Sequence, residues 1–330
     1  MTLENRSTGS QDSSAAASAK PLLPLKLAVA NYDRIMALAL GDVQAEGIAL
    51  DVRRMPTPEI FVQGDRHMNE VSEFSISKYI EQRAAGDHRY TAIPVFLSRF
   101  FRHWSMYVNA KSGISSPADL KGKRAGCPNY RYTSSVWTRG ILQHEYGIMP
   151  NDMTWVQNED IPPPGDSTVK LETRVGANLG KMLVDGEIDF FVSPYPPPEM
   201  FDKNPPVKRL ISNAGEIERA FYRRTGIFPQ MHTVVIQTAV LDANPWVAQS
   251  MFKAFTEAKK WALFHLKGLR MSLPWLYEQV EELDAMMGPD HWPYGVEANR
   301  AGVELIVKYL VEQKIIAKPL SPEELFPGFE

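Results

Sequence analysis

The chain has 330 residues, enough for two ordinary domains, and 44% of them are hydrophobic and 23% charged, the balance expected of a soluble globular protein. A net charge of −3 with scattered basic residues argues against a nucleic-acid partner, and no apolar run reaches membrane-spanning length. The single cysteine, Cys127, excludes a disulfide framework and a cysteine-rich metal site.

Met1–Lys20 is rich in Ser, Ala and polar residues and lacks the basic start and apolar centre of a secretory signal. Residues 1–23 are therefore expected to be a disordered tail, and the compartment the cytoplasm. Leu25–Ala30 has the apolar run of a buried strand, followed by the polar group Asn31-Tyr32-Asp33. Arg34–Leu40 is a short helix stopped by Gly41, Ile48–Met55 a second strand, and Pro58–Gly64 a second short helix. Glu70–Ile76 is a third strand with a polar tip, and Lys78–Ala85 a helix closed by Gly86. Thr91–Ala110 follows, its end alternating Trp104, Met106 and Val108 against Ser105, Tyr107 and Asn109.

The same order then returns. Arg124–Cys127 is a strand. A polar, aromatic loop leads to Thr133, Ser134 and Ser135, capping residues for a helix that runs to Tyr146 and ends at Gly147. Trp137/Ile141 and Leu142/Tyr146 give that helix its i,i+4 apolar pairs. Met153–Gln157 is a strand, Leu171–Leu183 a helix, and Ile188–Ser193 a strand ending at Pro194-Tyr195. After a second crossing segment, His232–Gln237, the chain is helical over Pro245–Leu266, Leu276–Met287 and Ala298–Gln313.

Alternating strands and helices in two similar blocks imply an α/β protein of two lobes, each with a mostly parallel sheet. The expected division is one discontinuous lobe, residues 24–110 with 229–330, and an inserted lobe, residues 111–228. Two crossovers join them, and the strand tips face a common cleft.

Candidate site residues follow from that placement. The helix start at Thr133, Ser134 and Ser135 offers free N–H groups to an anion, with Arg131 and Tyr130 in the preceding loop. Tyr32, Glu73 and Tyr195 lie at other strand tips. Arg99 and Arg102 suit a bidentate carboxylate clamp. His103 and His232, one on each crossover, read either as a general acid and a charge partner or as hydrogen-bonded structural histidines. Glu73 reads as a base or as an ion-pair partner. His144 and Glu145 are expected to face solvent. No spacing argues for a metal, and HExxH, GxxxxGK[ST], GxGxxG and GxSxG patterns are absent.

The segments EVSEFSISKYI, SRFFRHWSMYV, GCPNYRYTSSVWTRGILQHEYG and RRTGIFPQMHTVVI together resemble the 4,5-dihydroxyphthalate decarboxylase family, which is similar in fold to type II periplasmic solute-binding proteins. The resemblance runs from about residue 25 to about residue 237 and more weakly to the end. It implies a carboxy-lyase of phthalate degradation that converts 4,5-dihydroxyphthalate to 3,4-dihydroxybenzoate and CO₂; protonation of the carboxylate-bearing ring carbon needs no cofactor in principle. On the residues' placement, His103 is the expected proton donor and His232 or Glu73 the acceptor near the phenol. Arg99, Arg102, Arg131 and the Thr133–Ser135 helix start are the expected carboxylate holders. The partner is then a small aromatic dicarboxylate, with self-association into a homo-oligomer left open. The alternative is a non-catalytic solute-binding protein for an aromatic carboxylate.

Overall fold

The computed structural model describes residues 21–165, 167–268 and 271–329. Most of the expected tail, residues 1–20, lies outside them, and Leu23 already opens the first strand. In chain order the elements are β1 (Leu23–Val29), α1 (Met36–Leu40), β2 (Ile48–Arg54), α2 (Thr57–Asp65), β3 (Val71–Ser75), α3 (Ile76–Ala84) and β4 (Tyr90–Arg99). The second block holds β5 (Met106–Asn109), β6 (Arg124–Cys127), α4 (Thr133–Tyr146), β7 (Thr154–Gln157), β8 (Lys170–Thr173), α5 (Leu179–Asp185), β9 (Phe190–Val192), β10 (Val207–Arg209) and α6 (Ala214–Thr225). The chain then returns through β11 (Gln230–Gln237) to α7 (Thr238–Ala243), α8 (Trp246–Lys267), α9 (Leu276–Met287), α10 (Arg300–Glu312) and α11 (Pro322–Leu325).

These form two sheets, β2-β1-β3-β11-β4 and β10-β5-β9-β6-β7-β8. Each has a parallel core, β2-β1-β3 in one and β9-β6-β7-β8 in the other. Each is extended by an antiparallel strand that arrives from the other half of the chain, β11 against β3 and β5 against β9. β5 thus belongs to the second sheet, so the expected boundary at residue 110 falls about five to ten residues late, more than the usual boundary error of about 2–4. The chain changes lobe within residues 100–105 and again within residues 226–229. The two passages touch, because Phe100 N–H donates to Pro229 O at 3.0 Å. The helix expected over Leu171–Leu183 is instead strand β8 followed by α5, and Asn178 caps α5 by accepting from Lys181 N–H at 3.0 Å.

Apolar clusters cover both faces of each sheet. One of them crosses the lobes. Val136 and Trp137 of α4 pack with Val303, Ile306 and Tyr309 of α10. Gly140 lets the two helices meet, since a Cβ there would overlap the Tyr309 ring. Trp137 Nε1–H donates to Gln230 O at 3.1 Å, and Gln313 Nε2 donates to Val136 O at 2.9 Å. The buried guanidinium of Arg139 binds Gln313 Oε1 at 2.8 Å and lies 3.5 Å over the Tyr130 ring. His144 is exposed, as expected, and meets Glu312 of α10 at 2.7 Å.

Candidate active site

The strand tips and crossovers enclose a half-open cavity of about 250 Å³ between the lobes. Sheet register builds its floor. His232 on β11 lies opposite Ser75 on β3 and Ser98 on β4, and all three line the cavity. Glu73 is two residues before Ser75, so it shares that face and stands diagonal to His232.

Glu73 is fully buried and accepts three hydrogen bonds. His232 Nδ1 is 2.6 Å from its Oε1, Tyr32 Oη donates to the same oxygen at 2.6 Å, and Ala30 N–H donates to Oε2 at 2.9 Å. Burial alone would push the carboxyl up, but the bonds from His232, Tyr32 and Ala30 outweigh it and hold the group below the usual carboxylate range. Burial and then the Glu73 charge push the Tyr32 phenol far up, so it remains a donor. A carboxylate on Nδ1 fixes the tautomer and ring plane of His232 and leaves Nε2 as the nitrogen available to a ligand. Among the described residues Nε2 has no hydrogen-bond partner.

Arg102 lines the cavity from the first crossover and is 5% exposed. Its Nε donates to Met231 Sδ at 3.2 Å, its Nη1 to Ser105 Oγ at 3.3 Å, and its plane lies 4.9 Å from the Phe100 ring centroid. Burial lowers its pKa to about 10, which leaves it cationic at neutral pH. No carboxylate pairs with it among the described residues. A desolvated cation without a counter-charge is costly unless a ligand supplies the charge.

The start of α4 forms a further wall through Tyr132, Thr133 and Ser134. Thr133 Oγ1 lies 2.9 Å from both Ser75 Oγ and Ser77 Oγ, so hydroxyls from the two lobes meet at this edge. Tyr132 Oη donates to Glu159 Oε1 at 2.5 Å. Phe61, Phe100, Trp104 and Pro58 supply apolar surface, and Tyr195 stands at the rim, 65% exposed.

Of the residues singled out from sequence, the fold thus brings His232, Arg102, Thr133, Ser134 and Tyr195 to the cavity, with Glu73 and Tyr32 directly behind His232. Five others lie elsewhere. His103 is fully buried against α4 and α6, 3.3 Å from Glu145 Oε2, because it turns to the opposite side of its segment from Arg102 and Trp104. It is not placed to reach a ligand in the cavity, and Glu145, expected at the surface, is its partner. Arg99 points away because strand alternation puts it opposite Ser98. Its guanidinium binds Phe228 O at 2.9 Å, Pro293 O at 2.6 Å and Asn299, and burial lowers its pKa to about 9. Arg131 is neutralised by Glu81 and held by the carbonyls of Pro162 and Pro163. Tyr130 packs inside the second lobe between Arg139 and Trp155, and Ser135 is buried one residue beyond the wall.

Ser98, Phe61, Phe100, Trp104, Tyr132 and Met231 are wall residues that the strand-tip argument did not select. Ser98 was accessible from alternation within β4, once Arg99 is assigned to the other face. Phe61 reaches the cavity only through tertiary packing of α2 on β3. Among the described residues no group of three or more His, Cys, Asp or Glu side chains is arranged to hold a metal ion. No described helix is long and apolar enough to cross a membrane.

No protein-family model matches the chain. A 4,5-dihydroxyphthalate decarboxylase from Comamonas testosteroni is 36% identical over 318 residues, covering 92% of this chain and 96% of the relative. Another from Pseudomonas putida is 36% identical over 211 residues, covering 61% of this chain and 82% of the relative. Among solved structures, the periplasmic aliphatic sulphonate binding protein SsuA from Escherichia coli aligns with a TM-score of 0.54 at 12% identity, over 93% of this chain and 92% of its own. The desulfurization enzyme DSZB aligns with a TM-score of 0.50 at 16% identity, over 92% of this chain and 96% of its own. At such identities the structural matches establish the fold alone, a two-lobed periplasmic-binding-protein-like architecture. The likeness to the two decarboxylases spans nearly the full length of one of them, and the chain belongs to the 4,5-dihydroxyphthalate decarboxylase family.

Proposed function

We propose that the protein decarboxylates 4,5-dihydroxyphthalate to 3,4-dihydroxybenzoate and CO₂, with His232 as the proton donor to the ring. The observation that carries this reading is the pairing, in one aromatic-lined cavity, of a buried arginine without a counter-ion among the described residues and a histidine anchored by a buried carboxylate. The family membership supplies the substrate class.

Direct loss of CO₂ from the ring would leave an aryl anion with nothing to stabilise it. A hydroxyl para to the departing carboxylate offers an easier route. Its oxygen feeds electron density to the carboxylate-bearing carbon while a hydroxyl of the wall shares its proton. His232 Nε2–H then protonates that carbon. The C–CO₂ bond breaks, its electron pair restores the aromatic ring, and the phenol recovers its proton. Water re-protonates His232, so one proton is consumed for each CO₂ released.

Glu73 serves this step without touching substrate. It holds the ring plane of His232 and stabilises the imidazolium from which the proton leaves. Tyr32 and Ala30 N–H keep Glu73 ionised. Arg102, with the Thr133–Ser134 start of α4, holds the carboxylate that stays. The serine hydroxyls beside His232 suit the phenols. A placed general acid contributes about 10²–10⁴-fold, so the remainder falls to orientation and the fixed field of Arg102. A buried free thiol at Cys127 is compatible with the finer reading of a cytoplasmic enzyme, which cell fractionation tests.

The experiment is incubation of the purified protein with 4,5-dihydroxyphthalate, with and without chelator, followed by product identification. Stoichiometric 3,4-dihydroxybenzoate and CO₂ are expected. Tight binding without CO₂ would favour the solute-binding alternative.

A further inference from the structure

His103 is not part of the cavity wall, yet both of its chain neighbours are. Its imidazole lies between two carboxylates on two helices, hydrogen-bonded to one and close to the other, with Nδ1 lacking a hydrogen-bond partner among the described residues. Nε2 lies 3.3 Å from Glu145 Oε2 of α4, and Nδ1 lies 3.9 Å from Glu218 Oε1 of α6. Glu145 is also held by Arg224 of α6 at 2.8 Å. Glu218 also accepts the Trp104 N–H at 3.3 Å, and Phe221 meets the His103 ring edge-on at 5.6 Å. Two acidic groups therefore lie behind the segment that presents Arg102 to the cavity.

Their position bears directly on Arg102. That guanidinium is useful to an anionic ligand only while no protein carboxylate claims it. Glu218 accepts the N–H of Trp104, two residues along the chain from Arg102, at 3.3 Å, and its negative charge favours the charged form of that guanidinium. Burial pushes the Glu218 carboxyl up, and His103 beside it pulls the other way. With the imidazole gone, Glu218 is a partly buried acid that keeps the Trp104 N–H but loses its adjacent imidazole, while Arg102, two residues before Trp104 in the chain, is a buried cation with no carboxylate partner among the described residues. Pairing of the two would relieve both desolvation costs and cancel the positive charge of the cavity.

We propose that His103 is a positioning residue that keeps Arg102 free for the substrate carboxylate by holding Glu218 and Glu145 on the far side of the crossover. This rests on the assignment of the cavity as the substrate site. The role differs from plain structural support, because it makes the loss of His103 repairable by removing a charge elsewhere.

The test compares full-length wild type, His103→Gln, Glu218→Gln and the double variant. Calorimetry with phthalate, which carries the two carboxylates but not the phenols, is read beside KM and kcat for 4,5-dihydroxyphthalate. His103→Gln is expected to weaken phthalate binding and raise KM by about tenfold or more, the scale of one charge-assisted hydrogen bond, with a smaller change in kcat. Glu218→Gln alone is expected to stay near wild type, and the double variant to recover most of the lost affinity. Wild-type affinity in His103→Gln, or a double variant as weak as the single, would overturn the proposal. His103→Asn, with the same expectations, replaces the glutamine variant should that one not fold. Phthalate binding needs no turnover. A wild type that binds phthalate but releases no CO₂ would therefore sink the decarboxylase assignment and leave this comparison intact.

Discussion

At the scale of single residues, the site depends on one buried carboxylate. Glu73 makes three hydrogen bonds as an anion, which hold its pKa below the unfolded value of 4.5. A depressed carboxylate contributes stability that is fully present above the unfolded pKa and is lost as pH falls through the folded one. Wild type is therefore expected to lose melting temperature steeply below about pH 4.5, and Glu73→Gln to lose less over the same interval while starting from a lower value at pH 7. Melting curves between pH 3 and 7 check this; equal acid sensitivity in the two proteins would contradict it. The residue scale is also where sequence was least informative. Arg99, Arg102 and His103 sit within five positions and share the chemistry of a clamp, yet only Arg102 reaches the cavity. The difference is side-chain direction, set at Arg99 by strand alternation and at His103 by the short turn after β4. Neither is encoded in residue type. Arg131 was misplaced for another reason, since its neutralising partner Glu81 is 50 positions away in the chain.

At the scale of elements, α4 carries most of the argument. Its limits, Thr133 and Tyr146, were readable from its apolar pairs and Gly147, which adopts φ 65° as a left-handed C-cap, but Thr133, Ser134 and Ser135 do not cap it: they fall inside the helix, and the N-cap, Tyr132, makes no side-chain cap bond. Its start faces the cavity, as the anion-site argument expected of Thr133 and Ser134. What the sequence did not disclose is that its other face enters the core of the opposite lobe, because contact with α10 depends on chain 160 or more residues away, as in the Arg139–Gln313 bond. Gly140 is the point of closest approach. Gly140→Leu is expected to destabilise the fold by about 1–3 kcal/mol or more, as overpacked contacts do. Denaturant titration measures it, and an unchanged midpoint would contradict the packing described. The β8–α5 region failed for a local reason: Leu171 and the apolar residues of α5 fit a helical period, but Gly176 takes φ 73° and breaks the run.

At the scale of the molecule, the two-sheet plan was legible because alternation of strand and helix is a strong and local signal. The passages between lobes were harder to bound, because β5 pairs with β9 across a long separation rather than extending β4. The closed contact of α4 with α3 and α10 has a functional corollary. A binding protein that opens and closes around its solute changes shape on ligation, whereas a cleft braced by the Trp137, Arg139 and Gln313 contacts should not. Small-angle scattering with and without saturating phthalate is expected to give superimposable curves, and a clear compaction with ligand would contradict a pre-organised site.

The most direct test of the account is the rate of CO₂ release from 4,5-dihydroxyphthalate in D₂O by wild type and His232→Gln. The account predicts product carrying one deuterium at the vacated ring carbon, and a fall in kcat of about 10²–10⁴-fold on loss of the imidazole. Turnover by His232→Gln at the wild-type rate would contradict it.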